Sequence, residues 1–250
     1  MRVLLKSIAE YLYQRATYIT PVTKSKLTKI QKCNIINNKI SVVSNGVDID
    51  LIDNASQIDW RKDIKLENKF ILTFAGLIGI AQGINVILET AIKLKDHTDI
   101  HFLIVGEGVE KQRLQDYAKS LELTNVTFLS RQPKESIPSL LKTSDAAIIS
   151  LVNDKLEDAV PSKLLEAWAC GLPVILIAGG EASQLVSDIK GGISINYNDI
   201  DGIISAIMEL KNSPELMQKF ASNGYEYVSK YLKRETLARE LEKVIYKILE

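Results

Sequence analysis

Between Asp158 and Glu166 ("DAVPSKLLE") the chain places two carboxylates, a Pro-Ser-Lys and the opening of an amphipathic run. Pro161 suits the first turn of a helix or the residue before it, and Ser162 can cap that helix. At 100° per residue, Ser162, Lys163, Glu166 and Cys170 fall within one 100° sector, and Leu164, Leu165, Trp168 and Ala169 take the opposite side. A hydroxyl, an ammonium and a carboxylate therefore share one face near a helix start. Free N–H groups and the helix dipole favour an anion there, and Lys163 adds a full charge. Glu166, one turn further in, would be repelled by a phosphate, so the hydroxyls of a sugar are its better partner. Taken alone, the stretch is equally readable as a solvated helix face with a serine cap.

The elements that must position these residues are legible from Phe70 onward. Short apolar runs ("FILTFAG", "IHFLIVGEG", "VTFLS", "AAIISL", "PVILIAG", "GISIN") alternate with helical spacing ("INVILETAIKLK", "KQRLQDYAKSLE", "SIPSLLKTS", "SKLLEAWAC", "EASQLVSDI", "DIDGIISAIMELKNS"). Buried strands alternating with helices imply a parallel sheet covered on both faces, an α/β, Rossmann-like doubly wound fold. Ligands of such sheets bind outside the carboxyl ends of the strands. That draws attention to Gly76–Gly83, Gly106–Gly108, Ser130–Pro133, Asn153–Ser162 and Gly179–Ser183. Upstream, a helix is expected over Ile8–Gln14, and a short strand in "ATYITPV" precedes a helix opened by Thr23 or Ser25. "KISVVSNGVDID" reads as a strand running into an Asn-Gly turn, and residues beyond 224 as one or two long helices.

Bulk properties narrow the function. With 31 basic and 31 acidic side chains, the global charge does not point to nucleic acid. Up to Lys39, however, eight Lys/Arg face Glu10 alone, a net of +7, leaving about −7 on the remainder. A basic end on an acidic body is compatible with an anionic membrane surface, and equally with a lysine-rich solvated face. Cys33 and Cys170 lie far apart without metal-ligand spacing, which suits a reducing compartment and excludes a disulfide scaffold. No run approaches the roughly 18 apolar residues of a membrane span, so a cytoplasmic location is expected, peripheral to the inner membrane face at most.

The blocks "VVSNGVD", "TFAGLIGIAQGINVILETA", "HFLIVGEGVEKQRLQDYA", "VTFLSRQPKESIPSLLKTSDAAIISL", "AVPSKLLEAWACGLPVI" and "DIDGIISAI" follow one another in an order that resembles glycosyltransferase family 4. More narrowly they resemble the branch that builds bacterial surface polysaccharides from UDP-activated amino sugars. The resemblance runs from about Thr17 to the C-terminus. It implies the GT-B architecture, two Rossmann-like domains facing across a cleft, with this chain supplying the C-terminal, nucleotide-sugar-binding one. On that basis residues 1–45 are a remnant of an N-terminal acceptor domain, 46–69 a linker, 70–230 the donor domain and 231–250 a C-terminal helix.

The resemblance also assigns residues. The family's two glutamates, separated by seven residues, fall on Asp158 and Glu166. Glu166 would bind the ribose, and Asp158, one methylene shorter than usual, the donor sugar, with Glu157 as a substitute. The backbone at Ser162 and Lys163 would meet the diphosphate, and Pro161 and Leu164 flank them in the binding set. The family's Gly-Arg and Lys-Gly become Gly76-Leu77 and Gln82-Gly83, losing both charges, one of which Lys163 could replace. Arg131 and Gln132 stand where the base is read, and Gly106 and Gly108 shape the cleft floor. Lys163, Glu166 and Asp158 form the catalytic set of this reading. The implied reaction is transfer of a sugar, with retention, from a nucleoside diphosphate, with UDP expected, to a glycan or lipid-linked acceptor.

No Asp-x-Asp motif marks the strand ends, and neither a metal nor a cofactor is expected beyond the UDP-sugar donor. Because the acceptor site belongs to the other domain of the family, the expectation is nucleotide binding with little transfer unless a separately encoded N-terminal half completes the cleft. A non-catalytic nucleotide-binding module is the alternative. An NAD-dependent enzyme fits poorly, since Gly76, Gly79 and Gly83 lack the Gly-x-Gly-x-x-Gly spacing. A nucleotide-sugar epimerase would need acids and bases that no motif supplies.

Overall fold

The computed structural model describes residues 2–33, 39–55, 58–151 and 156–249. Six parallel strands form one sheet: β1 (Phe70–Ala75), β2 (Ile100–Val105), β3 (Val126–Leu129), β4 (Ala146–Ser150), β5 (Val174–Ile177) and β6 (Gly192–Ile195), in the spatial order β3-β2-β1-β4-β5-β6. β2, β4 and β5 are buried at every position, as expected of strands covered on both faces. The order reverses between β1 and β4, which pair through Leu72 with Ala146 and Thr73 with Ala147. That boundary opens a crevice at the carboxyl ends of the two strands.

Helices α5 (Asn85–Lys93), α6 (Lys111–Ser120) and α10 (Ile200–Asn212) cover one face. Their apolar sides meet Leu72, Phe74, Phe102, Ile148 and Ile175 in one continuous core. On the other face, α8 (Ser162–Ala169), α9 (Gly180–Ile189) and α11 (Pro214–Tyr231) pack around Trp168, Ile149 and Leu176. The short α7 (Ile137–Lys142) brings Leu140 against Ile71 and Leu103. Trp168 is fully buried, donates from Nε1 to the Gly191 carbonyl at 2.8 Å and stands edge-on to Tyr227 at 6.1 Å.

The amino-terminal part departs from its pattern. The expected strands around Ile19 and Ile40 are reduced to a single bridge between those two residues. Alternating apolar residues favour extended backbone, but a ladder of two short segments without a sheet to join is marginal. The first helix, α1 (Arg2–Arg15), is longer than expected, and residues read as a linker contain α3 (Ile49–Asp53) and α4 (Trp60–Asp63). Arg61 of α4 donates to Asp145 at 2.7 Å and to the Thr143 and Lys69 carbonyls, fastening this segment to the sheet. The C-terminal α12 (Arg234–Leu249) starts against Val47, to which Lys233 bridges.

Helix α2 (Lys24–Gln31) is opened by Thr23, as expected, and Thr23 accepts from the Lys26 N–H at 3.3 Å. Its two foremost N–H groups, at Lys24 and Ser25, each donate to the Glu181 carboxylate of α9 at 2.8 Å. Burial works to raise the Glu181 pKa, and the hydrogen bonds from Ser25, Lys24 and Thr23 outweigh it, leaving the carboxyl below its usual value. Glu181→Ala strips α2 of this carboxylate, an expected loss of about 1–2 kcal/mol. Faster amide exchange over residues 24–31, with the sheet unaffected, is the readout. Unchanged protection would show that Thr23 alone secures the helix.

Candidate functional site

The crevice between β1 and β4 is closed on one side by the start of α8. Pro161 occupies the N-cap position with extended backbone (φ −69°, ψ 137°), and no side chain caps the helix. Ser162 was expected to cap it. It is instead the first helical residue, because proline's fixed φ fills the boundary position and pushes the hydroxyl one residue inside. The Leu164 N–H donates to the Pro161 carbonyl at 3.1 Å, and the Leu164 side chain is fully buried. Leu164 therefore offers a ligand neither its side chain nor its N–H, and its place is in the core.

Lys163 and Glu166 belong to one helical face yet differ in environment. Glu166 is exposed, as is Ser162, whereas Lys163 folds inward. The Lys163 ammonium sits 4.6 Å from the Phe74 ring centroid, with no ion pair or hydrogen bond among the described residues. Burial pushes its pKa down to about 8, and Glu166 pulls the other way. A cation kept in apolar surroundings with no fixed counter-charge is a group prepared for an anionic ligand.

The glycine loops form the floor. Gly106 has φ +147°, and a β-carbon there would lie 1.9 Å from the Gly76 carbonyl oxygen, so only glycine lets the turns after β1 and β2 touch. Gly83 is buried, closing a left-handed turn against Tyr197, and Gly108 lies against the Ile78 carbonyl. Gln82 accepts from the Ser150 hydroxyl through its backbone carbonyl, and its buried Oε1 has no hydrogen-bond partner among the described residues.

Gly76, Leu77, Gly106, Glu107, Arg131, Gln132 and Lys134 surround a cavity of about 420 Å³. Lys134 and Ile137 also line a smaller one of about 100 Å³ that reaches Glu166, Cys170 and Arg234. The two form a trough from the glycine loops past the Arg131 loop to Glu166. The Arg131 side chain is exposed, the Arg131 backbone N–H donates to the Glu107 carboxylate at 3.4 Å, and the Gln132 side chain donates to the Ser130 carbonyl. The Lys111 ammonium, 2.6 Å away, holds the Glu107 carboxyl below the usual range.

Lys134 was missed in the sequence, one residue beyond the Ser130–Pro133 turn singled out after the third strand, and Glu107, inside the Gly106–Gly108 turn after the second, was given no role. Asp158 is differently engaged from what its spacing implied: its carboxylate pairs with Lys29 of α2 at 2.9 Å, and its carbonyl accepts from the Thr23 hydroxyl. A contact with a donor sugar would require Lys29 to release it. Glu157 binds through its carbonyl to the Glu181 N–H at 2.7 Å. Asn153, also singled out, lies outside the described residues. His101 stands at the opposite end of β2, bonded to Thr127 at 2.8 Å, and burial pushes its pKa down to about 4. No cluster of metal-ligating side chains occurs among the described residues, nor is any helix among them long and apolar enough to cross a membrane.

Comparison with known proteins gives this trough a context. The family model described as Glycosyl transferases group 1 matches residues 56–227. The putative colanic acid biosynthesis glycosyl transferase WcaI of Escherichia coli (strain K12) is 25% identical over 229 residues, 89% of this chain and 55% of that protein. The UDP-Gal:alpha-D-GlcNAc-diphosphoundecaprenol alpha-1,3-galactosyltransferase of Escherichia coli is 29% identical over 185 residues, 71% of this chain and 46% of that one. The chain thus spans about half the length of these relatives. The crystal structure of Anabaena Alr3699/HepE in complex with UDP shares the fold with a TM-score of 0.84 at 18% identity, covering 96% of this chain and 67% of that one. The family match takes in all six strands, the glycine loops, the Arg131 loop and Glu166, though not Arg234, and the chain belongs to the glycosyl transferases group 1.

Proposed function

We propose that this chain is the donor-binding part of a retaining glycosyltransferase that uses a UDP-sugar. The observation that carries the reading is Lys163: a largely buried ammonium with no ion pair among the described residues, in the first turn of a helix whose start no side chain caps among them. The diphosphate lies against that start, the ribose on Glu166, and the base between the glycine loops and Arg131, Gln132 and Lys134. As the anomeric C–O bond breaks, charge grows on the departing diphosphate. Fixed dipoles and Lys163, already aimed at those oxygens, stabilise it more in the transition state than before.

The acceptor is a glycan or a lipid-linked saccharide, bound by elements outside this chain or supplied by a partner half. Two relatives support that class by name, one assigned to colanic acid biosynthesis and one acting on a diphosphoundecaprenol. A lipid-linked acceptor brings the reaction to a membrane surface, and the basic stretch up to Lys39 favours an anionic one. The second reading is a nucleotide-binding module without transfer.

Calorimetric titration with UDP, ADP and GDP tests the donor site. Selective UDP binding, weakened about tenfold or more in Glu166→Ala (about 1.4 kcal/mol), is expected. No binding of any nucleotide by a folded sample would remove the donor-site reading for this chain. Transfer from a UDP-sugar to a lipid-linked acceptor separates the enzyme from the binding module.

A further inference from the structure

Lys163 is held by two residues of another element. Phe74, on β1 and 1% exposed, presents its ring face to the ammonium. Gly76, just past the end of β1, lies beneath the lysine stem, and a β-carbon on it would come within 2.3 Å of the Lys163 Cε. Thr73, Ala75, Leu141, Ala147 and Ile149 face the same narrow gap, and among the described residues Glu166 is the only other titratable group lining it. A lysine in the first turn of a surface helix ordinarily reaches into water on its flexible stem. Here the stem runs under a loop that has no side chain to block it, and the ring quadrupole attracts the charge at its end.

The geometry points to Phe74 and Gly76 as positioning residues: the phenyl face and the missing β-carbon form a notch that holds Lys163 beside the uncapped start of α8, in place for the diphosphate. Neither residue has to touch the donor through a side chain for the donor to depend on it. The inference rests on the donor-site reading for its ligand arm alone, because the notch itself is testable in the free protein.

Two double-mutant cycles provide the test. In the first, Gly76→Ala is made with Lys163 present and in Lys163→Ala, and stability is read by denaturant unfolding. Backbone strain at φ +144° is common to both backgrounds and cancels, whereas the clash with the lysine stem exists in only one. A larger loss with Lys163 present is expected, and equal losses would overturn the notch.

In the second cycle, UDP affinity is measured for Phe74→Leu with Lys163 present and in Lys163→Met. Loss of the ring face is expected to weaken UDP binding about three- to tenfold with Lys163 present, and less than about twofold without it. The pH at which affinity begins to fall should also move up, toward the usual lysine range, as the ammonium escapes to water. Equal losses in both backgrounds, or no loss in either, would overturn the role of Phe74. Should Phe74→Leu fail to fold, Phe74→Met replaces it in the same cycle. Absence of UDP binding by the unsubstituted chain would count against the donor site, while the stability cycle still decides the notch.

Discussion

Replacing Lys163 with methionine is expected to weaken UDP binding about 30-fold at pH 7, since hydrogen bonds to charged groups contribute about 1.5–3 kcal/mol and the proposed partner is a diphosphate. Methionine keeps the stem and its packing, so the loss reports the charge. The pH dependence follows from the same group. In the free chain, burial holds the Lys163 pKa near 8, with Glu166 pulling it upward. A bound diphosphate favours the ammonium and raises that pKa, so above pH 8 the complex holds more protons than the free chain. Affinity should therefore fall as pH climbs through about 8, by up to about tenfold per unit, until the bound-state pKa is passed. Titrations at pH 7, 8 and 9 in buffers of different ionisation enthalpy would show the slope and the accompanying proton uptake. Lys163→Met should remove both, and a flat profile in the unsubstituted chain would mean that Lys163 does not face the diphosphate.

Trp168→Ala is expected to be the most destabilising substitution in α8, costing about 3–5 kcal/mol, the range for deleting a large buried aromatic side chain. Trp168 fills the space between α8 and α11, and Gly191 and Gly224 owe their lack of a side chain to it: a β-carbon on either would lie within 2.6 Å of the indole. Neither backbone segment can collapse far into the void, which places the loss in the upper half of that range. The hydrogen bond to the Gly191 carbonyl disappears as well. A lowered denaturant midpoint with an unchanged slope would confirm the loss, and a cost under about 1 kcal/mol would show the helix to be anchored elsewhere. UDP affinity should fall too, because the residue that seats α8 is six positions from its start.

The central strands were readable because they are apolar runs buried on both faces, and the helices because their spacing changes from two to nearly four. Glu166 was readable for the same reason: on an amphipathic helix, the angle from Trp168 settles which residues meet water. Lys163 lies on the same side of that wheel and does not follow it. Its course depends on Phe74 and Gly76, 89 and 87 positions earlier, and no local periodicity contains that information. The engagement of Asp158 with Lys29 and of Glu181 with α2 was hidden likewise, by separations of 129 and 157 residues. The amino-terminal strands were overread for a different cause, since alternation registers a preference for extended backbone and says nothing of whether a neighbouring strand is there to receive it.

The contact of Gly106 with the Gly76 carbonyl has a thermodynamic consequence. Two loops from adjacent strands brace each other through main-chain atoms, and the Gly76 N–H is further tied to the Val105 carbonyl at 2.9 Å. Their conformational entropy is surrendered during folding, before any ligand arrives, so this part of the cleft would meet the proposed nucleotide already rigid. The exposed Arg131 and Lys134 side chains are among the groups that remain to be ordered on binding. On the proposed donor site the base would lie between this stiff floor and an adaptable rim, so its specificity could be altered at Arg131 and Lys134 without disturbing the start of α8, where the phosphates would be gripped.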